Sequence, residues 1–299
     1  MLETFKRLFK RRPLQSRSEV ILRDIVVVAL LVFYVVFYVY PIIKAFAGSF
    51  HNWNPLNGKY IWVGLNNYKK LLDNEVFWTS MINTGIFCLV VTIARTALGF
   101  ICAYLIYSKL VKCKNFYRGL LYMPVIAPMV GVAFIWKFMY DPQFGLINEL
   151  LGTSINWLKN SDTALGSVIV MTIWKDFGYA VVLYMAALLS LDSSVLEAAK
   201  VDGCKSWARL KNVIIPLIRP TTFFIIVSSF ISYLQSYVQV LVLTEGGPGT
   251  STYLASYMIY NEAFVNYRFG SASAMSFILF VFIAILTLIS FRLSANKGD

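Results

Sequence analysis

The sequence has a single histidine, His51, and only 15 acids against 27 lysines and arginines. One imidazole leaves no second ring for a histidine-based metal centre, nor for a catalytic set built around paired histidines. Four cysteines, Cys88, Cys102, Cys113 and Cys204, fall at neither metal-ligand nor disulfide spacing. They read as reduced, structural thiols, two in an apolar helix and two in inner-side loops. No G-x-x-x-x-G-K-[ST] phosphate loop is present; Gly58-Lys59 is followed by Tyr60. That loop chemistry for nucleotide phosphates is therefore missing from this chain. Acids are scarce inside the apolar runs, with Asp176 the main one, and no repeated halves are visible. Both argue against a stand-alone ion-coupled carrier or a membrane enzyme.

What the chain does have is apolar length. It is 299 residues long, 58% hydrophobic and only 14% charged. A soluble domain of this size would need more polar surface. Crossing the hydrocarbon takes about 20 apolar residues, and six runs reach that length: 22–43, 80–107, 117–140, 165–190, 217–243 and 271–293. Residues 244–270 are too polar to cross. The expected class is all-α, a polytopic membrane protein with six transmembrane helices. The first run is longer than a signal h-region and has no small-x-small site before Pro41, so it is expected to stay as a span.

The net charge of +12 would raise nucleic acid as a partner in a soluble protein. Here the bases flank the spans, which is a topology signal and implies no nucleic acid partner. Residues 1–23 carry Lys6, Arg7, Lys10, Arg11, Arg12, Arg17 and Arg23; the second-to-third connection carries Lys109, Lys112, Lys114 and Arg118. The fourth-to-fifth connection carries Lys200, Lys205, Arg209, Lys211 and Arg219. Both termini of this multi-pass chain are expected in the cytoplasm. Trp53, Trp62, Trp78, Trp136 and Trp157 lie near predicted helix ends, as interfacial aromatics do. Ahead of the first span, Leu2, Phe5, Leu8 and Phe9 share one helical face. That segment reads either as an amphipathic helix on the inner leaflet or as a basic tail that only fixes topology.

Polar groups inside spans are costly and face a cavity or a partner. Ser228, Ser229, Ser232, Gln235, Ser236 and Gln239 recur at helical spacing in the fifth run and share a face. Thr172, Trp174, Lys175, Asp176 and Tyr179 gather in the fourth. Such a set suits a sugar, whose hydroxyls need hydrogen-bond partners and whose ring faces need aromatic rings. It equally suits hydrogen bonding between helices. Arg95, near the middle of the second run, pairs with Asp176, pairs with another subunit or faces a water-filled cavity; Lys175 offers Asp176 a local partner instead.

The most informative stretch is Glu197 to Pro220, EAAKVDGCKSWARLKNVIIPLIRP, a polar segment between two apolar runs. Asp192, Ser193 or Ser194 suits an N-cap, and Glu197 then sits in the first turn, where a carboxylate suits the helix dipole. Gly203 suits a helix end, and Pro216 is expected to open the next span. Glu197, Ala198, Ala199, Asp202, Gly203 and Pro216 fall on the pattern of the "EAA" loop, so this segment resembles the cytoplasmic loop of ATP-binding-cassette importer permeases. Cys204 stands where that family more often has alanine.

Three further stretches are similar to sugar-type members of that family. They are Gly64-Leu65-Asn66-Asn67-Tyr68 with Phe77 and Asn83-Thr84; Pro124, Pro128, Trp136, Gly145 and Asn148; and Thr244-Glu245-Gly246-Gly247-Pro248 with the residues out to Met275. The pattern is nearest to maltose-type permeases, without a large external domain between the first two spans.

The resemblance implies a type I importer permease with a basic segment at 1–23, a first helix and external loop at 24–79, and a core at 80–293. A coupling helix is expected at about 193–207 and a tail at 294–299. It implies a second homologous permease subunit, two ATPase subunits that bind ATP and Mg, an extracytoplasmic solute-binding protein, and no cofactor in this chain. Glu197, Ala198, Ala199, Asp202, Gly203 and Pro216 would couple to the ATPase. Thr172, Asp176, Tyr179, Ser229, Ser232, Tyr233 and Ser236 match the family's sugar contacts. A sugar or oligosaccharide is the expected solute, with glycerol phosphate or an amino acid as the alternative. The loop at Gly246–Gly249 reads either as a flexible external turn or as a contact for the binding protein.

Overall fold

The computed structural model describes residues 17–108 and 111–295. The segment with Leu2, Phe5, Leu8 and Phe9 lies outside the described residues. Nearly every element is an α-helix. The only sheet among the described residues is a hairpin, β1 (His51–Asn54) with β2 (Lys59–Trp62), pairing His51 with Trp62 and Asn54 with Lys59.

The chain enters through α1 (Arg17–Tyr34), passes a wider turn at Val35–Val39, and continues as α2 (Tyr40–Ser49). Pro41 accounts for the wide turn. It has no amide to close on the carbonyl one turn back, and its ring crowds that carbonyl. Ser18–Ser49 is long and apolar enough to cross a membrane, yet none of its apolar window is buried within the chain. Ile25, Leu30, Phe33, Val36 and Phe37 are exposed all round it, which a helix tolerates in lipid.

After the hairpin, α3 (Asn66–Leu72) leads to α4 (Glu75–Tyr107), 33 residues capped by the Asn74 side chain on the Val76 amide. Its main neighbour is α8 (Ser161–Leu189), capped by Asn160 on the Asp162 amide. A side chain on Gly99 of α4 would run into the Ala180 methyl group. Small residues let the two backbones approach closely, the usual device where lipid supplies no hydrophobic drive.

The apolar runs at 117–140 and 217–243, expected as continuous helices, are both broken. The first divides into α5 (Lys114–Ile126) and α6 (Met129–Met139), bent by 95°. Pro128 has no amide to donate back into the preceding turn, and Ala127 before it takes an extended conformation, ψ 138°. Lys175 Nζ, 3.3 Å from the Val125 carbonyl oxygen, satisfies one acceptor the break exposes.

The second run opens as α10 (Ser206–Arg209), a wide turn at Leu210–Ile214 and α11 (Ile215–Leu217). It bends by 62° into α12 (Arg219–Leu234), breaks at 235–237, and resumes as α13 (Val238–Leu243). Pro216 therefore lies before the bend and does not open the span; Arg219-Pro220 does. Among the described residues four helices are long and apolar enough to cross a membrane, or up to six if each bent pair is one span.

The connections gather at two ends. At one, the Gly270 backbone meets the His51 carbonyl, the Asn83 amide donates to the carbonyls of Thr250, Ser251 and Tyr253, and Lys137 donates to Val242. At the other, Lys114 Nζ donates to the Tyr107 carbonyl (2.7 Å), and Leu210, Ile214 and Ile218 pack against Ala103, Tyr184 and Leu188. The core divides likewise. One cluster holds Phe87, Trp136, Met171, Tyr233 and Leu254, a second holds Ile106, Val181, Tyr184 and Ile225, and a third, smaller one at the first end holds Leu71, Phe77, Met258 and Met275. Trp136 is only 7% exposed and packs on Tyr140 and Trp174, so it is a core residue rather than an interfacial anchor. Trp62 and Trp78 do stand exposed.

Short helices that the apolar pattern did not signal, α7 (Leu146–Leu151) and α14 (Ala255–Tyr260), order the first end. The 141–160 segment is organised by buried Asn148. Its amide donates to Ile155 and its carbonyl oxygen accepts from Thr153, the Ile155 amide and Trp157 Nε1 at 2.9–3.2 Å. Asn148→Ala orphans those groups. It is expected to destabilise the segment by about 1–3 kcal/mol, seen as faster amide exchange over residues 141–160 and unchanged exchange in α4 and α8.

Candidate functional site

Two features do more than fill the core. The first is α9 (Ser193–Val201), at the basic end. Its start is capped by Asp192, whose carboxylate accepts from the Ser194 amide at 2.9 Å. That amide, with the Ser194 hydroxyl, holds the Asp192 carboxyl below the ordinary carboxylate range. The sign follows: the cap is charged above the usual carboxylate pKa and its contribution fades only as pH falls through the lowered value. The end is closed by Gly203 at φ 77°. The Gly203 amide donates to Lys200 and the Cys204 amide to Ala199, both at 3.0 Å, a Schellman closure that a left-handed glycine makes possible.

Ala199 and Leu196 turn this helix onto the bundle. The opposite face carries Glu197 and Ala198, both exposed, and Val201, 87% exposed; Trp207, in the following helix, is 74% exposed. No described residue holds the Glu197 carboxylate. Asp202 caps the C-terminus and is exposed. The result is a short helix, fixed at both ends, that presents the Glu197 carboxylate beside exposed Ala198 and Val201. It is shorter than the 193–207 expected, because Gly203 ends it and Ser206 starts another.

The second feature lies between α4, α8 and α12. Arg95, 7% exposed, donates from Nη1 to Ser229 Oγ at 3.0 Å and to the Tyr233 hydroxyl at 3.2 Å. Its guanidinium carbon stands 4.9 Å from the Tyr179 ring centroid and 5.7 Å from that of Tyr233. The Tyr233 hydroxyl in turn donates to Asp176 at 3.2 Å, and Lys175 Nζ lies 3.5 Å from the same carboxylate. Tyr233 thus bridges Arg95 to Asp176, and neither a direct Arg95–Asp176 pair nor an isolated charge results.

Of the seven residues singled out for a solute, Asp176, Tyr179, Ser229 and Tyr233 come together. Thr172 is fully buried and donates to its own helix at Val168. Ser232 is exposed on another face. Ser236 lies past the end of α12, donating back to the Ser232 carbonyl. The polar stripe is therefore not continuous: the break at 235–237 carries Gln239 into α13, where it is buried. Lys175 stands where the sequence offered it, 3.5 Å from the Asp176 carboxylate; the central place of Arg95, against Ser229, Tyr233 and Tyr179, had as its signal only a base within an apolar run.

The glycine-rich loop after α13 is not a loose turn. Thr244 and Thr252 hydroxyls are 2.8 Å apart, Thr252 donates to the Gly247 carbonyl at 3.0 Å, and the Asn83 amide and the Thr84 hydroxyl clamp its far side. A side chain on Gly246 would meet the Tyr253 and Tyr257 rings. Among the described residues no group of three His, Cys, Asp or Glu could hold a metal ion.

This architecture, a bundle with two broken spans and a capped polar helix at its basic end, is that of a type I importer permease. The crystal structure of a bacterial ABC transporter involved in the import of the acidic polysaccharide alginate superposes with TM-score 0.81 at 22% identity, covering 93% of this chain and 98% of that one. The family pattern for the binding-protein-dependent transport system inner membrane component matches residues 95–296, and the chain belongs to that family.

Similar curated proteins agree. The probable starch degradation products transport system permease protein AmyD of Thermoanaerobacterium thermosulfurigenes is 31% identical over 262 residues, 86% of this chain and 88% of that protein. The sn-glycerol-3-phosphate transport system permease protein UgpA of Agrobacterium fabrum is 31% identical over 263 residues, 86% and 89%. The multiple sugar-binding transport system permease protein MsmF of Streptococcus mutans is 30% identical over 269 residues, 88% and 92%.

Proposed function

We propose that this chain is one of two membrane subunits of an ATP-driven importer that carries a sugar or oligosaccharide inward by alternating access. The observation that carries this reading is the exposed, doubly capped helix bearing Glu197. A helix fixed at both ends transmits displacement, and an unpaired acid beside exposed Ala198 and Val201 is built for a partner surface. Two ATPase subunits holding ATP and Mg are that partner, one for each membrane subunit. Closing the ATPases draws the docked helices together, and Leu210, Ile214 and Ile218 pass the motion to α4 and α8.

The clustered lysines and arginines support a cytoplasmic position for this end and for both termini in a bacterial plasma membrane. The clamped loop at 244–252 then faces outward, where a solute-binding protein docks. A different but homologous permease completes the pair. The solutes in the relatives' names, starch products and sugars among them, support a carbohydrate.

The test is ATP hydrolysis by the assembled complex in proteoliposomes. Stimulation that requires both the binding protein and a saccharide supports the reading. Uptake without any bound ATPase would overturn it. At the solute site, Tyr179→Ala is expected to raise the half-saturating solute concentration about tenfold, the weight of one aromatic and cation–π contact, with normal recovery of the complex. Unchanged kinetics would remove Tyr179 from the path.

A further inference from the structure

At the basic end, α4 and α5 enclose a groove of about 870 Å³ that neither α9 nor the Arg95 cluster uses. Ile106 is buried at its floor, and Leu105, Leu121 and Phe116 line it as well. Leu105 and Phe116 are well exposed, so the groove is open on an apolar side. Its other end is polar. Lys112, in the connection between the two helices, lines it too, while Leu121 lies about two turns deeper into α5.

The connection is ordered from within. Lys114 Nζ donates to the Tyr107 carbonyl, tying the end of α4 to the start of α5, and Cys113 takes the left-handed region at φ 55°. Lys114 is therefore used. Lys112 is exposed and has no hydrogen-bond or ion-pair partner among the described residues. The sequence from Ser108 to Arg118 carries Lys109, Lys112, Lys114 and Arg118 and no acid, so nothing in this stretch answers the charge.

An apolar groove with an unanswered cation at its polar end fits a molecule that is anionic at one end and hydrocarbon at the other. The inner leaflet supplies such molecules, and basic pockets between spans on that side take their head groups. A neutral lipid would cover the walls and leave Lys112 unmatched. A free anion would match Lys112 and leave Leu105 and Phe116 bare. The Leu121 backbone also lies against Gly178 of α8, so an occupant of the groove bears on the contact between α5 and α8.

We propose that this groove binds an anionic glycerophospholipid of the inner leaflet. The phosphate pairs with Lys112, an acyl chain runs over Leu105 and Phe116 toward Leu121, and the lipid braces α4 against α5. This rests on the basic end being the inner one and not on the identity of the solute.

The experiment is photolabelling of the purified complete complex in nanodiscs with phosphatidylglycerol or phosphatidylcholine, each carrying a diazirine on one acyl chain. Labelling at Leu105 and at 116–121 by phosphatidylglycerol is expected to exceed that by phosphatidylcholine about fivefold, the weight of one base near an anionic surface. Lys112→Gln should bring it down to the phosphatidylcholine level and Lys112→Arg should keep it. Millimolar inorganic phosphate should leave the labelling unchanged; displacement assigns Lys112 to a free anion and overturns the lipid. Equal labelling by the two lipids in wild type, or a preference that survives in Lys112→Gln, also overturns the proposal. So does label elsewhere on the chain with none in the groove, which places a protein surface over it. Should Lys112→Gln be recovered poorly, the two lipids compared on wild type still decide. None of these outcomes touches the importer reading, because neither ATP nor solute enters the measurement.

Discussion

Glu197→Lys is expected to lower uptake about 100-fold or more while the permease still inserts and folds. Reversing one charge at the centre of a docked surface removes the favourable contact and adds a repulsive one, a loss of several kcal/mol for a desolvated pair. No described residue depends on this carboxylate. It is exposed, it has no partner among the described residues, and the turn it occupies is held by Asp192 and Gly203 instead. The helix should therefore survive the change and fail only in docking. Two readouts separate these: yield of folded permease in the membrane, expected to be normal, and ATPase retained on purification, expected to be largely lost. Normal ATP-driven uptake would refute the docking role.

Gly178→Val should act in the opposite way, by destroying the bundle before any partner is involved. Gly178 of α8 lies against the backbone of α5, where a Cβ would sit inside the van der Waals shell of the Leu121 carbonyl oxygen and close on Tyr122. The obstacle is backbone, so no side-chain rotation relieves it. Forcing the helices apart opens the contact around Phe177, Leu121 and Val181 and withdraws Lys175 from the Val125 carbonyl. Overpacking of this kind costs about 1–3 kcal/mol when side chains yield, and more when backbone must move. The expected result is loss of most folded protein, measured as recovery of a monodisperse peak after detergent extraction. Gly166→Val, on the same helix with nothing within 4 Å of its Cβ, should be recovered normally.

The order of the apolar runs and the polar segment were legible in the sequence because each rests on composition over many residues. Twenty apolar residues announce a span whatever they pack against, and Asp192 with Gly203 marks the ends of α9 by backbone chemistry alone. The breaks were less legible. Pro124, Pro128, Pro216 and Pro220 were all visible, but a proline can kink a helix or begin one. The choice at 127–128 depended on Lys175, 50 residues away, being there to take the Val125 carbonyl. The solute site was legible only in part for the same reason. A helical repeat places Ser229, Ser232 and Ser236 on one face, yet α12 ends at Leu234, and only Ser229 and Tyr233 turn to Arg95. The small helices α7 and α14 had no signal in hydropathy. Their order comes from Asn148, Asn83 and Thr84, single polar residues acting at long range.

The central claim is that the helix at 193–201 moves this permease by holding an ATPase. Photocrosslinking from a benzophenone residue placed at Val201, the most exposed apolar position on that helix, tests it directly in the intact membrane complex. The expected product joins this chain to the ATPase subunit, with a yield that changes when ATP and Mg are added. Capture of lipid alone, or of a protein added only to the outer side, would contradict the account.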